Sequence, residues 1–311
     1  MTVSLPEAAG RPTMYFVGVT TAGSAIHSVF RAWQPILGLQ NASLVGIDLP
    51  LDATAEDYRR VVRFIDEDPQ SRGALVTTHK LRLFDASRDL FSRLNEDARA
   101  LSEVSCLVSE PRGVAGLALD AVTSGLALRA IAADVSGRHV LLMGAGGAAL
   151  ALASHLSSLP RTQAPARVTV TDIHQRNLDQ VQEHVASRGG TGWRYVLLGP
   201  EESHDHLLAG LPAGSLVVNA TGKGKDRPGS PLSDAALFPR DAVCWEFNYR
   251  GTLEFLHQAR AQAGARALTV HDGWIYFVHG WTRAIAEVFD VHIPTEGPEF
   301  DRIATAARDA R

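Results

Sequence analysis

Short apolar runs alternate with longer amphipathic stretches along nearly all of the chain, with no fixed repeat and no low-complexity linker. That alternation predicts an α/β protein. In the first part, strands are expected at 14–19, 44–47 and 73–77, with helices at 29–38 and 55–66. Helices near 80–101, a hairpin around Arg112-Gly113 and a helix over 120–133 follow. After Ser136-Gly137 a second series begins, with strands at 139–143, 167–172, 194–198, 215–220 and 242–247 and helices from 146 and over 175–188. Successive strand–helix units of this kind predict a Rossmann-type doubly wound parallel sheet.

A length of 311 residues fits two domains with sizeable cores. Only a Ser-Gly turn separates the two series, so the 120–133 helix is expected to join them in place of a flexible linker. Thirty Lys+Arg against 34 Asp+Glu leave a net charge of −4, which removes the electrostatic case for a nucleic-acid or anionic-membrane partner. The two cysteines, Cys106 and Cys244, lie far apart without CxxC or Cys/His spacing, so neither a disulfide scaffold nor a structural zinc site is expected. The segment MTVSLPEAAGRPT carries no basic or apolar signal region, and no run of about 18 apolar residues occurs. A cytoplasmic protein that does not cross a membrane is the expectation. His204-Asp205-His206 invites a metal reading, but alternating histidines without a third ligand at recognisable spacing fit a solvated loop or helix start better.

Gly144-Ala145-Gly146-Gly147-Ala148-Ala149 follows the apolar run HVLLM and opens an Ala/Leu-rich helix, the context a G-x-G-x-x-G/A fingerprint requires. Gly144 permits the tight turn, Gly146 the close approach of a pyrophosphate, and Ala149 close helix–strand packing, with phosphate charge at the helix N-terminus. The next strand, RVTVTD, ends at Asp172, near the offset of roughly 20 residues at which an acid binds an adenosine ribose. A carboxylate there repels a 2′-phosphate, so NAD is expected over NADP. Arg176 is the counter-argument, since a guanidinium at that position can reach a phosphate. Asp172 also has a plainer reading as a helix cap.

Outside the nucleotide series, GALVTTHK places Lys80 just beyond an apolar strand, and LALDAVTSG places Asp120 at a helix start. Each could be a solvated or capping charge. Together with their surroundings, however, these segments resemble the shikimate dehydrogenase family from about 14 to 290. ALVTTHK is similar to N-V-T-x-P-x-K, SEVSCL to G-A-V-N-T-L, and ALDA to N-T-D-G. GAGGAA is similar to GAGGA(S/A), NATGKG to N-A-T-x-x-G, and HDGWIYFVHG to D-G-L-x-M-L-V-x-Q. The resemblance implies a discontinuous α/β substrate-binding domain, 1–119 with 271–311, around an NAD-binding domain at 120–270. It implies reversible hydride transfer with a cyclic alcohol or ketone, with Lys80 and Asp120 handling the proton at the reacting oxygen. Cofactor positions are then Gly144, Gly146, Gly147, Ala148, Asp172, Arg176, Asn219, Thr221 and Gly273.

Departures fall among the substrate positions. Of the family's Ser-x-Ser pair only Ser24 remains, with Ile26 at the second hydroxyl. The asparagine of A-V-N-T becomes Ser105, the threonine of N-V-T becomes Val76, and the first residue of N-T-D becomes Ala118. The tyrosine of V-Y-N-P becomes Phe247, and the family glutamine falls on Gly280, beside His279. Each hydrogen-bond partner lost in a complex costs about 1–3 kcal/mol, which argues for a small cyclic substrate other than shikimate, carrying a carboxylate and belonging to secondary metabolism. Ser24, Thr77, Ser105, Phe247 and His279 are the candidate substrate contacts, with His27, Thr78 and Tyr276 also at hand. The rival readings are an imine or methylene-tetrahydrofolate-type reductase on the same fold and a non-catalytic NAD-binding sensor. A homodimer is compatible with the sequence.

Overall fold

The computed structural model describes residues 3–199, 202–225 and 227–311. The chain divides into two compact units, Met1–Leu119 with Val278–Arg311, and Asp120–Phe277.

In the first unit the order is β1 (Thr13–Gly18), α1 (Ile26–Leu37), β2 (Ser43–Asp48), α2 (Ala55–Glu67), β3 (Ser71–Val76) and α3 (Lys80–Ser87). β4 (Phe91–Leu94), α4 (Glu96–Leu101), β5 (Cys106–Glu110) and β6 (Gly113–Leu117) complete its sheet, in the order β2-β1-β3-β5-β6-β4. β1 is wholly buried and parallel to both β2 and β3, so its six residues need no polar face. β5 runs antiparallel to β3 and β6, so the sheet is mixed. Local chemistry sets the helix ends: Thr54 and Asp57 form a reciprocal capping box at α2, and α1 stops at Gly38 with φ 73°. The stretch 80–101, expected to be helical, contains a short strand. Phe91, Arg93 and Leu94 pair in parallel with β6, and the cross-strand partner overrides the local helical pattern.

The second unit holds α5 (Asp120–Ile131), β7 (His139–Met143), α6 (Gly147–Ser158), β8 (Arg167–Asp172), α7 (Gln175–Ser187) and β9 (Trp193–Leu197). It continues through α8 (His204–Ala209), β10 (Leu216–Asn219), β11 (Val243–Glu246), α9 (Glu254–Arg266) and β12 (Thr269–His271). All of its strand pairs are parallel, in the order β9-β8-β7-β10-β11-β12. That is the doubly wound order whose direction reverses between β7 and β10, where ligands bind at the carboxyl ends of the strands. Leu141, Met143, Val217, Cys244, Phe238 and Phe255 form a core on one face of this sheet.

α10 (Trp274–Phe289) crosses from the second unit to the first, and α11 (Gly297–Asp309) ends the chain. The division at 277/278 lies seven residues beyond the expected 270/271. β12 is still a strand of the second sheet, with His271 paired to Trp245, and Trp274 and Phe277 pack on Tyr249. Further along, Trp281 packs edge-on against Phe16, and the Trp33 indole donates to the Ile303 carbonyl, so the C-terminal helices belong with the first sheet. Among the described residues no helix is long and apolar enough to cross a membrane.

Candidate active site

At the carboxyl edge of the second sheet, Gly144 has φ 99°, and a Cβ there would lie 2.8 Å from the Ala220 carbonyl oxygen and 3.1 Å from Thr221 Cα. Only glycine tolerates both the angle and the approach. Gly146 and Gly147 differ: a Cβ on either meets no atom within 4 Å. Gly146 is the N-cap of α6, and no side chain caps that end. The first-turn N–H groups of α6, including that of half-buried Ala148, therefore face an open cradle, and this is the chemistry of a pyrophosphate site.

Asp172, at the end of β8, fastens this loop. One carboxylate oxygen accepts from Ala145 N at 2.8 Å, and the other accepts from His174 N at 2.9 Å and Asn177 Nδ2 at 3.2 Å. Arg176 is exposed on the first turn of α7. One strand over, Asn219 is fully buried, donates to Glu246 Oε2 at 2.6 Å, and accepts from Thr221 N and Thr221 Oγ1. Gly273 is held by its N–H to the Asn248 carbonyl, and a Cβ there would lie 2.0 Å from the Phe247 carbonyl oxygen. Phe247 itself is stacked on Trp245 at 4.1 Å with Tyr276 edge-on at 5.0 Å. His204 is tied into the protein: its Nδ1 donates to the Pro231 carbonyl and its Nε2 accepts from the Thr171 hydroxyl.

The first sheet gathers a second set of residues at one edge. Antiparallel β5 begins where parallel β3 ends, so Val76 N donates to the Ser105 carbonyl and Ser105 N to the Leu117 carbonyl. Ser105 Oγ accepts from Leu119 N at 2.9 Å, holding the backbone immediately before Asp120. Thr77 N donates to the Val17 carbonyl, and a Cβ on Gly18 would stand 3.2 Å from Thr77 Oγ1, which places Thr77 beside the β1 end. Ser24 sits in the following loop, its N–H donating to the Thr21 carbonyl, and His27 Nε2 donates to the same carbonyl. Thr21 is in turn held by its hydroxyl and N–H on the Asp48 carboxylate.

Lys80 is half-buried at the first position of α3. Its neighbour His79 is 2% exposed, with Nε2–H donating to the Leu49 carbonyl at 2.9 Å, so Nδ1 accepts from the Tyr58 hydroxyl at 2.9 Å. Burial lowers the His79 pKa and keeps the ring neutral. Between them and β3, Thr78 has φ 55°, with His79 N donating to the Thr77 carbonyl across it. That closes a three-residue turn with a β-branched residue at positive φ, which no residue pattern announces. His279 is enclosed: it is 1% exposed and stacks face to face on Phe300 at 4.5 Å. Asp120 opens α5, half-buried.

No family model matches the chain. Over 187 residues it is 34% identical to the shikimate dehydrogenase (NADP(+)) of Methanothrix thermoacetophila, a match spanning 60% of this chain and 61% of that protein's length. Over 248 residues it is 31% identical to the shikimate dehydrogenase (NADP(+)) of Xanthomonas euvesicatoria, spanning 76% of this chain and 79% of the relative. The chain belongs to the shikimate dehydrogenase family. Its fold is that of the quinate dehydrogenase from Corynebacterium glutamicum in complex with NAD, with a TM-score of 0.76 over 96% of this chain and 99% of that one, at 19% identity.

As a shikimate dehydrogenase family member the chain is unusual at two points. Thr78 occupies the proline position of N-V-T-x-P-x-K at a φ that proline cannot adopt. In place of V-Y-N-P it has Glu246-Phe247-Asn248-Tyr249, which puts a carboxylate where that motif has valine.

Proposed function

We propose that this protein is a nicotinamide-dinucleotide-dependent oxidoreductase that interconverts a cyclic alcohol and its ketone, the substrate carrying a carboxylate. The observation that carries the reading is the end of β3 in the first sheet, where Val76 N donates to the Ser105 carbonyl, Thr77 N to the Val17 carbonyl and Val104 N to the Lys80 carbonyl, and where Ser105 Oγ holds Leu119 just before Asp120. The bound dinucleotide would supply or accept the hydride. Gly146, Gly147 and the first turn of α6 would hold its pyrophosphate, with Asp172 toward the adenosine ribose. By the family resemblance, Lys80 would place a proton at the reacting oxygen and stabilise negative charge there, with Asp120 the other member of the proton-handling pair.

NAD is the proposed cofactor. A 2′-phosphate would meet the Asp172 carboxyl group, whose two oxygens already accept three N–H donors. The relatives named above use NADP(+) and the structural neighbour was solved with NAD, so a direct comparison of the two cofactors discriminates. The proposed substrate is less hydroxylated than shikimate, or differently substituted, as expected in secondary metabolism. Ile26, Val76 and Ala118 are apolar and buried where the family motifs are polar. Ser24, Thr77 and Ser105 remain as the proposed hydroxyl contacts.

Initial rates with both cofactors and a panel of cyclic hydroxy acids test this reading. Turnover of a member other than shikimate supports it. A kcat/KM for shikimate of about 10⁴–10⁸ M⁻¹s⁻¹ overturns the altered specificity, and absence of turnover across the panel with dinucleotide binding intact favours a sensor.

A further inference from the structure

Glu246 ends β11 with no exposed surface, in a strand that is otherwise apolar and buried. A carboxylate in such a place is costly unless it is fully bonded. Oε1 accepts from Asn248 N at 2.8 Å and Asn248 Nδ2 at 2.6 Å, and Oε2 accepts from Asn219 Nδ2 at 2.6 Å. All three partners are N–H donors. The shell suits an ionised carboxylate, because an added proton would be directed at donors and would remove an acceptor.

What this carboxylate holds accounts for its retention. Asn219, fixed by Glu246, accepts from Thr221, whose hydroxyl accepts from Lys223 N at 3.2 Å. Asn248, fixed by the other oxygen, donates to the Lys223 carbonyl at 3.2 Å and accepts from Gly273 N at 3.0 Å through its own carbonyl. Ala220 and Thr221 are the backbone against which Gly144 closes. One side chain therefore braces the ends of β10 and β11, the approach to α10, and the wall of the glycine-rich loop.

We infer that Glu246 is a positioning residue for dinucleotide binding: its ionised carboxylate sets the Asn219–Lys223, Phe247–Asn248 and Gly273 segments for the cofactor, and protonation releases them. The inference rests on the proposed dinucleotide site of this unit. Burial pushes the Glu246 carboxyl up to about 7, Glu254 at the start of α9 adds to the rise, and the three hydrogen bonds oppose it. The other titratable groups on neighbouring elements are Lys223 and Lys225 after β10, Tyr249 and Arg250 after β11, His271 and Asp272 at the end of β12, and Tyr276 on α10. Affinity for the dinucleotide accordingly falls as pH drops through neutrality.

The test is a titration of the full-length protein with NAD⁺ and NADP⁺ between about pH 5.5 and about pH 8.5, read by tryptophan fluorescence, for wild type and Glu246→Gln. Trp245 adjoins Glu246 and stacks on Phe247, so it reports on the braced segment. Wild-type affinity is expected to weaken about tenfold from the alkaline to the acid end. Glu246→Gln is expected to bind at the weak level throughout, with a melting midpoint at alkaline pH no lower than wild type, which a merely structural role would not produce. Wild-type affinity and pH dependence in Glu246→Gln overturn the inference. Should that variant not fold, hydrogen exchange on wild type decides: lost protection at the Thr221, Lys223 and Gly273 amides on acidification supports the bracing role, and unchanged protection refutes it. A wild-type protein that binds neither dinucleotide overturns both this inference and the proposed cofactor. Failure of turnover with binding intact bears on the proposed reaction alone.

Discussion

Replacing Glu246 with glutamine should change how stability depends on pH, by an amount set by the burial of a single carboxyl. A glutamate in solvent titrates near 4.5, and in the fold burial raises Glu246 to about 7. The folded protein therefore binds this proton more tightly than the unfolded chain does. Its contribution to stability is fully present below about pH 4.5, fades as pH rises, and is lost above about 7. At about 1.4 kcal/mol per pKa unit, the loss across that window is about 3 kcal/mol. Glutamine cannot titrate, so the difference between variant and wild type moves by that amount in the variant's favour between about pH 4.5 and about pH 8. Urea unfolding of both proteins at several pH values measures it, since the shared groups, including the depressed carboxylates Asp57 and Asp89 with their opposite slope, cancel in the comparison. A difference that stays constant within about 0.5 kcal/mol across the window refutes the reasoning.

Gly146→Ala should cost under about 1 kcal/mol, because its Cβ enters open space at an extended backbone, yet it should weaken dinucleotide binding at least about tenfold. Gly144→Ala should lower the melting midpoint as well, through about 1–3 kcal/mol of backbone strain at φ 99° and overlap with the Ala220 carbonyl. Melting curves paired with binding titrations separate the two. Asp172→Asn should raise the NADP-to-NAD ratio of kcat/KM about tenfold, and an unchanged ratio would remove the case for this carboxylate as the selector. His79→Phe leaves the Tyr58 hydroxyl and the Leu49 carbonyl without their ring partner, so it should destabilise by about 2–3 kcal/mol. It should also lower kcat more than it raises KM, because its ring anchors the turn that carries Lys80.

Much of the second unit was legible because parallel strands announce themselves as apolar runs. HVLLM, RVTVTD, SLVVNA and AVCWEF all became strands of one sheet, and Gly144 and Asp172 mark its turns through conformational and charge rules that act locally. β4 was hidden because Phe91–Leu94 is a strand only by virtue of β6, which lies some twenty residues further on. The second boundary between units is hard to read for a related reason, since β12 shows its affiliation only through pairing with β11. Glu246 did leave a signal, a lone acid inside an apolar run. Its meaning depends on Asn219 and Asn248, which only the sheet brings together. Thr78 left none, as a positive φ at threonine has no counterpart in composition or periodicity. His279, singled out by its place beside a family position, proves to be stacked on Phe300.

The proton-handling role of Lys80 and Asp120 is the central claim, and single-substitution kinetics on the best cyclic substrate test it most directly. Lys80→Ala and Asp120→Asn are expected to lose at least about a hundredfold in kcat while keeping wild-type affinity for the dinucleotide. Wild-type turnover in either variant would contradict the account.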